Sequence, residues 1–245
     1  MRVLKLMTTV LAMLALTAGL SAQEKSWTDK AELSYVQTGG NTEIMTLSAK
    51  NELGVTFSEK MTGSWKIGTV YGKTGDVKTA ESYFTEFGVD YHFNERVYLG
   101  LIAGWLKNEF AGLDSRIYAG PAVGWTAMTG PVHTLDWQVG GSYISETYFP
   151  DTTDPADYSY MAAMVRGNYQ WLISEQTTFT EAVELLYDLS DSENYNLTSE
   201  TAVQTALSSF LSLKVGYTIK YDNVPTPEIL ENSDTILSVT LVANF

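Results

Sequence analysis

The stretch that decides the fold is TILSVTLVANF, residues 235–245. Apolar side chains stand at every second position, and polar ones stand between them. The apolar set is Leu237, Val239, Leu241, Ala243 and Phe245, and the polar set is Ser238, Thr240 and Asn244. Successive side chains of a β-strand point to opposite faces. This segment is therefore predicted to be a strand with one apolar and one polar face, and the apolar face could meet either a protein core or lipid.

The same alternation runs through the rest of the chain. The six tryptophans all have odd numbers: Trp27, Trp65, Trp105, Trp125, Trp137 and Trp171. Even positions in these segments hold most of the charges, among them Lys50, Lys66, Glu86, Asp136, Arg166, Glu184 and Lys214. Residues of one strand whose numbers are all odd, or all even, lie on the same face of that strand. A soluble sandwich and a membrane barrel both permit this pattern, because each has one apolar face.

Three further features favour a transmembrane barrel. The alternating segments are about a dozen residues long, whereas strands of soluble sheets usually have 3 to 10 and membrane-crossing strands about 9 to 11. Short and long connections alternate along the chain, and odd-numbered aromatics gather near strand ends, as in the two aromatic girdles of membrane barrels. We therefore predict an all-β, antiparallel, up-and-down transmembrane barrel.

Twelve segments carry the pattern. They lie near 27–37, 44–57, 62–73, 79–93, 96–109, 115–127, 132–149, 158–172, 177–189, 196–207, 210–222 and 234–245. The tenth is the weakest, because apolar residues stand on both of its faces. Counts of ten and fourteen strands therefore remain open alternatives.

The N-terminal segment indicates export. Arg2 and Lys5 precede an apolar run that ends at Leu20, and small residues follow up to Ala22. This pattern predicts a cleavable signal peptide over residues 1–22 and a barrel domain over 23–245. The apolar run is shorter than the roughly 20 residues that span a bilayer. After it, no long apolar window occurs, so only a closed barrel could cross a membrane.

Composition argues against several kinds of chemistry. The net charge of -14 disfavours nucleic acid as a partner, and the chain has no cysteine for a disulfide or a thiolate site. His92 and His133 both flank short turns and are predicted to lie at the periplasmic rim. We therefore predict that the protein is not an enzyme and needs no cofactor, with a lipid-modifying barrel enzyme as the alternative. The acidic external loops could bind calcium or a surface partner, and both alternatives stay open, although no spacing matches a calcium loop.

The even-numbered charges predict a narrow, charged lumen. Cations and anions are nearly balanced on this face, so neighbouring strands could pair them inside the barrel. Candidate lumen charges are Lys50, Lys66, Glu86, Asp136, Arg166, Glu184 and Lys214. Twelve strands lie between eight-stranded barrels filled by side chains and porins with 16 to 18 strands. We expect a monomeric barrel that acts as a narrow channel or as a structural protein of the envelope.

The two terminal hairpins resemble a known family. The first reads AELSYVQTGGNTEIMTLSAKNEL (31–53) and the last SLKVGYTIKYDNVPTPEILENSDTILSVTLVANF (212–245). The pattern is similar to domain-of-unknown-function family 481, described as salt-induced outer-membrane proteins. The matching positions are Gly40, Asn41, Thr42, Asp222, Pro225 and Asp234.

The resemblance implies a location and partners. It places the protein in the outer membrane of a Gram-negative bacterium, in contact with lipid and lipopolysaccharide, with a link to salt or osmotic stress. Phe245 also resembles the C-terminal signature that the barrel assembly machinery recognises. No established biochemical activity comes with the family.

Overall fold

Twelve antiparallel strands make up almost all of the structure. It is a computed structural model, and it describes residues 26–38, 44–149, 157–224 and 232–245. The strands are β1 (Trp27–Thr38), β2 (Ile44–Ser58), β3 (Met61–Thr74), β4 (Val77–His92), β5 (Val97–Asn108), β6 (Leu113–Thr129), β7 (His133–Tyr148), β8 (Asp157–Leu172), β9 (Thr177–Asp188), β10 (Tyr195–Ala206), β11 (Leu211–Asp222) and β12 (Ser233–Asn244). One 3-10 turn, Glu109–Ala111, joins β5 to β6. Within these residues, no helix is long and apolar enough to cross a membrane.

The strand count of twelve is confirmed. The tenth segment, which has the weakest alternation, is a full strand that pairs with both of its neighbours along its length. Tertiary pairing therefore overrides its mixed pattern. The predicted signal peptide 1–22, the motif residues Gly40, Asn41 and Thr42, and Pro225 lie outside the described residues.

The strands close into a barrel in simple order. Each strand pairs with its sequence neighbours, and β1 pairs with β12. Following the paired residues once around the wall returns to β1 about 16 residues further along, which corresponds to a strand tilt of roughly 40°. With strands about 4.8 Å apart, the wall has a radius of roughly 12 Å. That radius is larger than that of an eight-stranded barrel, whose interior side chains just fill.

The two faces of the wall follow residue parity. On β7, Val139 and Tyr143 are 59% and 53% exposed, whereas the adjacent Ile144 is 0% exposed. Most other large exposed apolar residues of the strands also have odd numbers, such as Leu101, Ile117 and Leu237. The apolar face therefore points outward, as expected of a barrel surrounded by lipid.

The two ends of the barrel differ. The start of β1, the end of β12 and the turns after β2, β4, β6, β8 and β10 lie at one end, which we call the turn end; the opposite end is the loop end. Short turns are built on side-chain acceptors. For example, the Ser174 hydroxyl accepts the backbone N–H of Thr177, and the Asn94 side chain accepts the N–H of Val97.

One connection at the loop end is shorter than the sequence suggested. We expected strands near 62–73 and 79–93, but β3 and β4 run on to Thr74 and Val77. Gly75 has a φ of 59°, a left-handed conformation that glycine adopts without steric cost. A tight two-residue hairpin is therefore accessible here.

Candidate functional site: the charged interior

An arginine on one side of the barrel contacts a glutamate on a distant strand. Arg166 of β8 donates from Nη2 to Oε2 of Glu86 on β4 at 2.7 Å, and its Nε donates to Glu184 of β9. Strands β4 and β8 lie four strands apart around the wall. This bridge therefore crosses the interior, and it lies near mid-height of the barrel.

Glu86 collects donors from three strands. Besides Arg166, its carboxylate accepts the Tyr118 hydroxyl at 2.8 Å and the Lys66 ammonium at 3.4 Å. Glu86 is only 9% exposed. A buried carboxylate needs several hydrogen-bond donors and cations, because an unpaired buried charge is strongly destabilising.

A second charged cluster lies on the other side of the interior. Lys214 of β11 contacts Glu200 of β10 at 2.6 Å and Glu32 of β1 at 3.3 Å. Lys30 contacts Glu32 at 2.8 Å, and Lys50 is close enough to act on it electrostatically. The structure thus brings six of the seven predicted lumen charges into two clusters.

Asp136, the seventh, lies in the interior with different partners. Its carboxylate accepts the hydroxyls of Tyr98 at 2.6 Å and Thr126 at 3.0 Å, and Gln138 donates to the same Tyr98 oxygen. Among the described residues, no cation forms an ion pair with Asp136. Neutral donors rather than charges hold its carboxylate.

Two small apolar clusters in the interior were not predicted from the sequence. Ile102, Ala122 and Met164 pack together, and Leu186 contacts them. Ile144, Tyr160 and Ala162 form a neighbouring cluster. All are even-numbered residues of β5 to β9, so apolar residues on the otherwise charged face were the available sequence indication. The interior is therefore packed on this side.

A small cavity of about 190 Å³ lies at the loop end of the interior. Its polar lining includes Arg116, Glu184, Lys220 and Asp234. Arg116 donates to Glu146, a carboxylate that also accepts the hydroxyls of two tyrosines, Tyr148 and Tyr160. We call this cavity the vestibule. Because Glu184 belongs to both, the vestibule ends at the Arg166 bridge.

The histidines have neutral partners. His92 Nε2 lies 3.0 Å from the Thr62 hydroxyl, and His133 Nδ1 lies 2.9 Å from the Tyr169 hydroxyl. Both histidines are at the turn end. In the part of the chain that the structure describes, no three His, Asp or Glu side chains form a group that could hold a metal ion.

Glu181 is a carboxylate on the odd-numbered, lipid-facing side of the wall. Glu181 lies four residues inside β9, and the hydroxyls of Ser199 and Thr201 on β10 donate to it. A charge facing lipid is costly, and the cost increases towards the midplane. The two hydroxyls partly replace the water that this carboxylate lacks.

Comparison with known proteins agrees with this architecture. The model of one family, described as Protein of unknown function, DUF481, matches residues 31–245. The chain belongs to this family. A relative from Escherichia coli (strain K12), the uncharacterized protein YdiY, is 23% identical over 224 residues, which is 90% of this chain and 84% of that protein.

Solved outer-membrane barrels have a similar fold. An outer-membrane channel from Pseudomonas putida F1 has a TM-score of 0.52 at 9% identity, over 92% of this chain and 100% of that one. The NanC porin has a TM-score of 0.51 at 8% identity, over 89% and 97%. The translocator domain of the autotransporter NalP from Neisseria meningitidis has a TM-score of 0.50 at 10% identity, over 97% of this chain and 96% of that one. This family member therefore has the fold of the outer-membrane β-barrels.

Proposed function

We propose that the protein is a narrow outer-membrane channel for small solutes or ions that is closed at rest by its own side chains. The observation that supports this most is the bridge from Arg166 to Glu86 below a polar vestibule. An ionic contact between two sides of the barrel can separate while the hydrogen-bonded wall stays intact. Two of the structurally similar proteins are themselves a channel and a porin.

Replacing Glu86 with glutamine should open the channel more often. The amide keeps the size of the side chain but weakens its contacts with Arg166 and Lys66, so the bridge should separate more readily. We expect conductance steps in planar bilayers at least several times more frequent than in the wild type. Lys60→Gln, an exposed change in the turn between β2 and β3, is the matched control and should conduct like the wild type.

We also propose that salt or osmotic stress acts on this channel through its interior ion pairs. Salt screens ion pairs, although it screens buried pairs less than exposed ones. Raising KCl should therefore increase the open fraction of the wild type and change Glu86→Gln less. If neither protein conducts at any salt concentration, the channel proposal fails and a structural role in the envelope replaces it.

We further propose that catalysis is not the function. His92 and His133 contact hydroxyls, and neither is bonded to a carboxylate that would orient it as a general base. Both lie at the turn end, which we propose faces the periplasm. A base there would be far from substrates in the outer leaflet.

We also propose that Phe245 is the contact for the barrel assembly machinery of a monomeric protein. Its backbone N–H donates to the carbonyl of Asp29 at 2.8 Å, while its side chain is 37% exposed. Phe245→Ala should reduce the amount of folded barrel in outer-membrane fractions several-fold, and Phe245→Trp should not. Refolding of purified Phe245→Ala in detergent should remain normal. Equal membrane levels for both variants would contradict the proposal.

A further inference from the structure

Charged side chains of both signs line the vestibule. Lys220, Asp222 and Asp234 line it on the side of β11 and β12, and Arg116 lines it on the side of β6. Their even numbers place all four residues on the inner face of the wall. The vestibule therefore offers both cations and carboxylates to a solute, rather than charges of one sign.

Lys220 and Asp234 face each other on neighbouring strands without pairing. They are register partners of β11 and β12, and both are exposed residues. Register partners on one face have Cβ atoms about 4.5–5.5 Å apart, so an ion pair between these side chains is sterically possible. Within the described part of the chain, however, neither side chain forms an ion pair or a hydrogen bond. The ammonium group and the carboxylate can therefore both contact a ligand.

Arg116 approaches Lys220 from the other side of the barrel. Strands β6 and β11 lie five strands apart around the wall, yet Arg116 is close enough to act on Lys220 electrostatically. A guanidinium has five N–H donors, and only the Nε of Arg116 donates to a described residue, Glu146. The two cations repel each other. A carboxylate between them would relieve this repulsion and would accept the unused donors.

The rest of the lining suits an ammonium group and a short apolar chain. Asp234 and Asp222 supply carboxylate oxygens that can accept N–H groups. The Oδ1 atom of Asp222 already accepts the backbone N–H of Val224 at 3.0 Å, which leaves its Oδ2 atom for a ligand. Leu113 and Leu186 add apolar surface beside these charges.

The size of the vestibule limits the solute. Its volume of about 190 Å³ is many times the volume that one water molecule needs, which is roughly 10–15 Å³. It is also smaller than sites for drug-sized ligands, which have about 300–1,000 Å³. A solute with only a few non-hydrogen atoms is therefore the best match.

We propose that the vestibule binds a small zwitterion of the aliphatic amino-acid class. Its carboxylate lies between Lys220 and Arg116, and its ammonium group faces Asp234 and Asp222. A simple anion would leave the aspartates without a cation, and a simple cation would leave Lys220 without an anion. This inference rests on the proposed channel function, because it names the class of solute that the channel admits.

Three molecules of similar shape test the proposal on the unaltered protein. L-Valine carries both charges, isovalerate lacks the ammonium group, and isobutylamine lacks the carboxylate. Isothermal titration calorimetry of the folded barrel, in a non-ionic detergent and phosphate buffer at constant ionic strength, measures their affinities. Valine should bind at least about tenfold more tightly than either comparator, since each comparator loses hydrogen bonds to charged groups. No valine binding, or equal binding of either comparator, would overturn the proposal.

Two substitutions test the assigned contacts. Lys220→Met removes the ammonium group, and Asp234→Asn removes a charge while nearly keeping the shape of the side chain. Each should weaken valine binding at least about tenfold. Lys60→Met, an exposed change in the turn between β2 and β3, is the matched control and should bind like the wild type. Unchanged binding in either variant, once circular dichroism shows that it is folded, would contradict the site; if neither folds, the comparison of the three molecules decides.

Binding and conductance together separate this inference from the channel proposal. If valine binds but planar bilayers show no conductance steps, the channel proposal fails and the binding site stands. If the protein conducts but valine does not bind, the channel proposal stands and this inference fails.

Discussion

Replacing Arg166 with methionine should lower the free energy of unfolding by about 3–5 kcal/mol. The substitution removes a cation that contacts both Glu86 and Glu184. Glu86 would keep Lys66 and Tyr118, but it would lose its closest cation while remaining buried. Urea unfolding in lipid vesicles, followed by tryptophan fluorescence, measures this loss.

The expected loss comes from the unpaired carboxylates rather than from the absence of arginine as such. The triple variant Arg166→Met, Glu86→Gln, Glu184→Gln should therefore recover most of the stability, because residues within one network do not contribute additively. Lys60→Met, in an exposed turn, should change stability by no more than about 0.5 kcal/mol. A loss in Arg166→Met as small as that in Lys60→Met would show that the bridge does not hold the walls together.

Gly140→Ala should prevent folding or cost at least about 3 kcal/mol. A Cβ at this position would lie 2.2 Å from the carbonyl oxygen of Pro121 and 2.7 Å from the Cα of Ala122. These are backbone atoms of β6, so relief requires the two strands to separate. Proline has no N–H for a ladder bond with β7, and the pairing of Pro121 with Gly141 is indeed absent from the described register.

The adjacent glycine supplies the control. A Cβ on Gly141 would meet only the carbonyl oxygen of Ala162 at 3.6 Å, an ordinary contact. Gly141→Ala should therefore stay within about 0.5 kcal/mol of the wild type. The amount of folded barrel in outer membranes and urea unfolding measure both variants. Similar behaviour of the two would contradict the close approach of β6 and β7.

Much of the fold could be predicted from residue parity. A strand has a period of two, so odd-numbered Trp125 and Trp137 share the outer face, and even-numbered Glu86 and Arg166 share the inner face. Segment length and turn chemistry then indicate a membrane barrel of about twelve strands. The weak tenth segment, β10, is the exception, since its neighbours rather than its own pattern make it a strand.

The partners within the interior could not be predicted in the same way. Parity places a residue inside the barrel but does not say which distant strand it faces. Asp136 shows the difference: it lies inside, yet it bonds hydroxyls from Tyr98 and Thr126. The packing of Met164 against Ile102 could not be predicted from the sequence either, because it depends on which strands face each other after the barrel closes.

By itself, the sequence determined the two faces of the wall, since alternation of side chains is a local property of an extended backbone. Only the tertiary structure decided that Arg166 meets Glu86 across the lumen and that β6 and β7 approach each other closely at Gly140. These features depend on register, tilt and closure around all twelve strands. Such quantities accumulate over the whole barrel, and no short segment carries them.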